Sequence, residues 1–333
     1  MAKLQSSRKT KVFIYPPFGN TNAYIKNMTS SFEQDETHEI LKHIYRDKPL
    51  WGLFLNLDAD ICIFSWIEGM CSKKSGLLKF AYIVLFIVTL RSLRKKVIWI
   101  LHNKHPHEKS SALTRKGMSL LAKLSTAVVT HSEEGVNYFE QQCKRRKCYY
   151  IPHPVYSSEL KKSSELVYDY VVWGEINERK GVREFVQHIK GNHNFDNKRI
   201  LICGRCKDKA LAESIENCKP NNVTFINRFI PDEEMEQYIG SSRYIVFTYH
   251  SSSVLSSGAL IYSLNFCKPI IGPNVGSFRE MAGIVTTYDR FEDIPNLKVT
   301  LNRGLIEDYI NNNQWKDFPL KIDEVLRNGR NQL

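Results

Sequence analysis

A chain of 333 residues is long enough for two domains of about 150 residues each. Hydrophobic residues at 42%, charged residues at 25% and only 17 Gly and 12 Pro exclude fibrous, collagen-like and wholly disordered readings. Lys and Arg outnumber Asp and Glu by 47 to 35, a formal net charge of +12, which favours anionic partners such as nucleic acid, acidic lipid headgroups or phosphate-bearing substrates.

In chain order, Lys11–Tyr15 (KVFIY) reads as a short strand that runs into the turn-rich loop PPFGNTN, with helical sequence around Ala23–Phe32. Asp60–Trp66 (DICIFSW) is a buried strand and residues 76–95 an apolar helix. Val97–Leu101 (VIWIL) and Thr126–Thr130 (TAVVT) are further strands. A helix starts near Ser132, with Glu133 and Glu134 in its first turn, where acidic side chains complement the helix dipole. Tyr149–Ile151 leads into the proline-broken link Pro152-His153-Pro154. A second series opens with VYDYVVWG at 167–174, then a helix from Gly181 to Ile189 and strands at Arg199–Cys203 and Asn222–Ile226. A helix follows at Pro231–Ile239, with Pro and three acidic residues at its start. A strand at Tyr244–Thr248, a helix from Gly258 and a strand at Lys268–Gly272 complete the series. Two successive βαβα runs mean two parallel sheets clad by helices, an α/β chain with a boundary near 151–166. Ligands of such sheets sit beyond the carboxyl ends of the strands.

Eight scattered cysteines are too few for a disulfide scaffold and point to a reducing compartment; the N-terminus shows no signal-peptide pattern. The longest apolar run, Phe80–Leu90, is too short to span a bilayer. It is either a buried helix or, given Lys73, Lys74 and Lys79 before it and Arg91, Arg94, Lys95 and Lys96 after it, an interfacial helix at an anionic membrane surface.

Three segments carry chemistry. Residues 249–260, YHSSSVLSSGAL, form a hydroxyl-rich turn opening a helix: an anion site, or an ordinary N-cap. Residues 174–181, GEINERKG, also link strand to helix, and Arg179 and Lys180 can reach a phosphate or lie in a solvated loop. Residues 101–108, LHNKHPHE, end a strand with His102, His105 and His107, which fit a metal, a structural cluster, or sugar and phosphate contacts. Glu108 is a carboxylate placed to act as a base or to orient His107. Asn20 and Asn22, in the first loop, touch a ligand or make turns. Asp58-Ala59-Asp60 has the D-x-D form of a metal site, but Asp60 starts a strand. Cys203-Gly204-Arg205-Cys206 has C-x-x-C spacing without a second pair.

In their order, VVWGEINERKGVREFV, RILICGRC and VTFINRFIPDEEM through KPIIGPNVGSFREM resemble the donor domain of GT-B glycosyltransferases of the glycosyltransferase family 4 type, as in bacterial polysaccharide biosynthesis. VIWILHNKHPHE and IPHPVY resemble the same family's acceptor domain and interdomain segment, and Gln314-Trp315-Lys316 its final helix, so the likeness covers most of the chain. It implies two Rossmann-like domains facing across a cleft: an acceptor domain at 1–160, a nucleotide-sugar donor domain at 161–305, and a helix at 306–333 returning to the first. Lys180 matches the family's diphosphate lysine, Ser256, Ser257 and Gly258 the helix start that receives the diphosphate, Gly204 a family glycine, and Glu280 an acidic position near ribose or sugar. His102 matches the strand-end histidine that reaches the donor sugar. Asn103 and His107 join Asn20 and Asn22 as acceptor-side candidates. Where relatives carry arginine this chain has Glu175 and Asn177, with Arg179 to compensate; the paired glutamates of retaining members fall on Val254 and Tyr262.

The expectation is therefore a metal-independent hexosyltransferase with no cofactor beyond its nucleotide-diphosphate sugar. Its acceptor is a saccharide, lipid-linked, and it works in the cytoplasm at the inner face of the cytoplasmic membrane. The competing readings are a basic nucleic-acid-binding protein, disfavoured because the basic residues are dispersed, and a GT-B nucleotide-sugar epimerase or inactive transferase, kept open by the missing carboxylates. A nicotinamide dehydrogenase lacks its G-x-G-x-x-G.

Overall fold

The computed structural model describes residues 8–17, 22–42, 50–72, 76–104, 112–143, 148–157, 159–161, 164–249 and 254–328. The chain divides into two units: Met1–Tyr156 with Asn313–Leu333, and Ser157–Asn312.

Unit one carries β1 (Thr10–Tyr15), α1 (Ala23–Gln34), β2 (His38–Ile40), β3 (Ile61–Ser65), α2 (Gly76–Ser92), β4 (Lys96–Leu101), α3 (Ala112–Leu124), β5 (Ala127–Thr130), α4 (Glu133–Gln142) and β6 (Cys148–Tyr150). All neighbouring strands pair in parallel, in the order β2-β1-β3-β4-β5-β6. The strands are near-continuous apolar runs because both faces of a parallel sheet are covered. Val12, Ile14, Ile63, Ile98 and Ile100 meet Ile25, Met28 and Phe32 of α1 on one face. Phe13 and Phe64 of the alternate register meet Phe86 of α2 on the other. Ser132 caps α4, its Oγ accepting from Gly135 N–H at 3.3 Å.

Unit two follows with β7 (Tyr168–Trp173), α5 (Val182–Lys190), β8 (Ile200–Cys203), α6 (Lys209–Cys218), β9 (Val223–Ile226), α7 (Asp232–Gly240), β10 (Ser242–Val246), α8 (Gly258–Leu264), β11 (Ile270–Pro273), α9 (Gly276–Glu280), β12 (Val285–Tyr288) and α10 (Arg303–Asn312). Its parallel order β12-β11-β10-β7-β8-β9 is the doubly wound Rossmann order read from the far edge. The chain leaves β7 toward β8 and returns through β10 on β7's other side. The topological switch point therefore lies at the carboxyl ends of β7 and β10.

The chain then rejoins unit one. Val155 N–H donates to Asn313 O at 2.8 Å, and Val155 bridges Gln314. Beyond this junction α11 (Phe318–Asn328) adds Phe318, Ile322, Val325 and Leu326 to the core beneath α1.

Three boundaries differ from the sequence expectation for local reasons. The apolar helix stops at Ser92 rather than 95 because Arg94 takes a left-handed conformation (φ 58°). Lys95 N–H then bonds to Leu90 O and Arg94 N–H to Arg91 O, the closed C-terminal turn of a Schellman motif. β3 ends at Ser65 because Trp66 is also left-handed (φ 57°) and turns out of the ladder. β10 ends at Val246, and Thr248 leaves the ladder to donate to the backbone oxygen of Lys180.

Candidate donor site and the histidine layer

In unit two, the loop after β7 delivers Lys180 to the switch point. The lysine is 9% exposed, and its Nζ donates to Trp173 O at 3.2 Å, closing the loop back onto the strand it left. The ring of Tyr249, just past β10, has its centroid 5.6 Å from that Nζ, a cation–π distance. The Tyr249 hydroxyl lies 3.4 Å from Ser257 Oγ. Ser257 caps α8, its Oγ accepting from Leu260 N–H at 3.3 Å. An ammonium, an aromatic face and a helix start are thus contiguous, and two of the sequence candidates, Lys180 and Ser257, meet through a tyrosine the sequence had placed only in the serine-rich turn. Gly258 opens α8 behind Ser257, and Ser256 is half-buried in front of it. Arg179 is partly buried; burial works against its charge while Tyr249 and Glu175 favour it.

Two glycines make room for the lysine. Gly174 has φ 96°, and a Cβ there would lie 2.9 Å from Lys180 Nζ. Gly204 ends β8 at φ 144°, and its Cβ would lie 2.0 Å from Gly174 O. Tyr249 also borders a cavity of about 380 Å³ past the ends of β11 and β12, lined by Asn274, Tyr288, Asp289 and Arg290. Glu280 closes α9, which is fixed by the Ser277 N–H bond to Leu255 O at 2.9 Å.

The two positions without carboxylates have other work. Val254 is buried, and the Tyr262 hydroxyl points to Glu236 Oε1 of α7 at 3.4 Å. Asn177 heads the short turn that carries Lys180, and Glu175 pairs with Lys207 at 2.8 Å.

In unit one the strand ends form a buried polar and aromatic layer. His102 follows β4, His131 follows β5 and His153 follows β6, all buried. His102 stacks on Trp66 with centroids 4.5 Å apart, and Tyr24 of α1 meets its edge at 4.9 Å. His131 Nδ1 lies 2.7 Å from Ile151 O, so it carries the proton. Nε2 is then the acceptor of the Tyr24 hydroxyl at 2.7 Å. Burial pushes the His131 imidazole down to about 3, and that of His153 down to about 4. Both therefore remain neutral at physiological pH. The sequence had grouped His102 with His105 and His107 along one segment; the structure groups it with His131 and His153, which lie one and three residues past the next parallel strands β5 and β6. Their shared place at strand ends was the available signal.

Asn103 is buried beside His102, and Lys104 pairs with Glu134 of α4. Asn22 caps α1, its Oδ1 accepting from Tyr24 N–H at 2.9 Å. Asn20, His105, His107 and Glu108 lie outside the described residues. Asp58 and Asp60 sit at the start of β3, away from the strand ends. Asp58 is paired with Lys11 at 2.7 Å and Asp60 with Lys95 at 3.1 Å. Cys203 is buried with its thiol pushed up to about 12, and Cys206 Sγ lies 3.2 Å from Asp208 O.

His131 makes a stability prediction. Its folded pKa lies below the ordinary 6.5, so on acidification the unfolded chain takes up the proton first. Its contribution is complete above about pH 6.5 and drains away as pH falls toward 3. Between pH 7.5 and pH 5 this amounts to about 2 kcal/mol. His131→Asn, which keeps a donor for Ile151 O, should flatten the pH dependence of the urea midpoint over that range; an unchanged slope would count against a buried neutral imidazole.

Two units, each a six-stranded parallel sheet with helical crossovers, define the two-domain α/β GT-B fold. HepE of Anabaena, in complex with UDP and glucose, superposes with a TM-score of 0.67 at 12% identity over 96% of this chain and 100% of that one. A glycosyltransferase from Rickettsia africae does so with a TM-score of 0.62 at 11% identity over 97% and 99%. A TarM variant from S. aureus, in complex with fondaparinux, alpha-GlcNAc-glycerol and UDP, has a TM-score of 0.59 at 13% identity over 84% of this chain and 59% of that one. No family model and no curated protein matches the sequence. Among the described residues no helix is long and apolar enough to cross a membrane.

Proposed function

We propose that this chain is a glycosyltransferase that moves a sugar from a nucleoside-diphosphate sugar to the hydroxyl of a saccharide acceptor. The observation that carries the reading is Lys180, an ammonium closed in by Trp173 O and Tyr249 at the switch point of a Rossmann sheet, beside the capped start of α8. The UDP complexes of the HepE and TarM neighbours support it. In the reaction the acceptor oxygen bonds to the anomeric carbon, the bond from that carbon to the diphosphate oxygen breaks, and the leaving diphosphate keeps the electron pair while the acceptor hydroxyl loses its proton. Negative charge grows on the diphosphate. Preorganised donors facing it lower the barrier, a task for Lys180, Arg179 and the first N–H groups of α8 without a metal or other cofactor. Glu108 is our candidate for the base, and His102 for the donor-sugar contact. Glu280 is our candidate for the ribose or sugar. Asn22, Asn103, Asn20 and His107 are candidates for the acceptor side. A hexosyl donor and a lipid-linked saccharide acceptor of surface polysaccharide synthesis, met at the inner face of the cytoplasmic membrane, complete the proposal.

Thermal denaturation with UDP, GDP, ADP and CMP tests it. A ligand at 100 times its Kd stabilises by about 2.7 kcal/mol, which is about 5–10 °C for the melting of a unit the size of Ser157–Asn312. One nucleoside diphosphate should produce that rise. No rise with any of them would overturn the donor-site reading.

A further inference from the structure

Helix α2 has two apolar sides, and unit one uses only one of them. Phe80, Ile83, Phe86, Ile87 and Leu90 are buried. At 100° per residue, Leu77, Leu78, Ala81, Leu85 and Val88 fall within one stripe on the opposite side, and all five are exposed, Leu78 at 77% and Leu85 at 56%. The stripe runs for about 17 Å. Trp51, 58% exposed, extends it, with its ring centroid 5.1 Å from that of Tyr82. A contiguous apolar surface of this kind marks an interaction site.

The charge around the stripe selects the occupant. Residues 69–132, which contain α2 and α3, hold 12 Lys and Arg and one acidic residue, Glu108, a net +11 in a chain whose total is +12. Lys79 and Arg94 are exposed at the two ends of α2, and Arg115 and Lys116 on α3, which packs against it. A second copy docking on this face would bring two such cationic segments together, and like charges facing each other oppose association. An anionic bilayer answers both features. The leucine stripe enters the boundary of headgroups and acyl chains while the cations stay at headgroup level. We propose that the outward face of α2 docks unit one onto anionic phospholipid, with the helix lying in the membrane plane. The inference deepens the membrane part of the proposed function and rests on unit one alone, so failed vesicle binding and failed nucleotide binding are separate results.

The test is flotation of the full chain with vesicles of phosphatidylcholine, or of equal parts phosphatidylcholine and phosphatidylglycerol, without donor or acceptor. Binding to the mixed vesicles, weakened by salt and absent from the neutral ones, is expected. Leu78→Glu with Leu85→Glu, both at exposed positions, should lower partitioning at least about tenfold with an unchanged circular dichroism spectrum. Lys79→Glu with Arg94→Glu tests the charge alone and should lower it several-fold. Arg91 and Lys95 are unsuitable for reversal, since Arg91 donates to Thr126 Oγ1 at 2.8 Å and Lys95 pairs with Asp60. No binding to anionic vesicles, binding unaffected by the leucine pair, or a dimer in sedimentation that the leucine pair abolishes would each overturn the proposal.

Discussion

Lys180→Met should remove the nucleoside-diphosphate stabilisation and lower turnover about a hundredfold or more, the range for deleting one preorganised donor to a developing anion. Methionine keeps the aliphatic stem beneath Tyr249 and removes the charge and the bond to Trp173 O. That bond joins a charged donor to a neutral carbonyl and is worth about 1.5–3 kcal/mol, part of which is returned when the buried charge is removed, so the unliganded melting temperature should move only a few degrees. A purely structural lysine would give the reverse: a lower melting temperature with nucleotide stabilisation intact. Arginine should not rescue, because Gly174 already brings its backbone so close to Nζ that even a Cβ would sit at 2.9 Å. Turnover within a few-fold of wild type would remove Lys180 from the reaction.

Gly204→Ala should be the most damaging single methyl in unit two. The new carbon would lie 2.0 Å from Gly174 O and 2.7 Å from Gly174 C, and the backbone there has φ 144°, which side chains avoid. Strain at such a position costs about 1–3 kcal/mol, and forcing apart packed backbone costs about 1–3 kcal/mol more. The atom displaced is the carbonyl of Gly174, which heads the loop carrying Lys180. Nucleotide stabilisation should therefore fall along with the melting temperature, which should drop by about 5 °C or more. A variant that melts like wild type would mean that the ends of β7 and β8 do not approach as described.

The parts of this molecule that were readable from sequence were those with local signatures. The strands at 97–101 and 200–203 are unbroken apolar runs because both their faces are buried. Lys180 stood out in the loop that links the strand at 167–174 to a helix, and Gly204 through the resemblance to a family glycine. β2 has only three residues and β12 four, too few for a periodic pattern, and both are edge strands with a partner on one side only. The helices at 112–124 and 209–218 went unread beside the more pronounced strands. α2 posed a different difficulty. A helix apolar on every side has no preferred direction in its sequence, so the interfacial reading stayed open beside the favoured buried one until packing chose one side for the core. The histidine layer went unread for a third reason: His102, His131 and His153 are far apart along the chain, and their place after successive strands becomes a grouping only once the parallel sheet sets those strand ends side by side.

The junction of Val155 with Asn313 and Gln314 bears on how the protein is made. Unit one is interrupted after Tyr156, and Trp315, Phe318, Ile322, Val325 and Leu326, which complete its core, are synthesised only after all of Ser157–Asn312. On the ribosome, unit two has its whole sequence available while unit one still lacks the side chains that seal the sheet against α1. The half of the protein that begins first is the half that can finish folding last. A nascent chain released at Asn312 would have α1 over that face of the sheet without the added cover of Trp315, Phe318, Ile322, Val325 and Leu326.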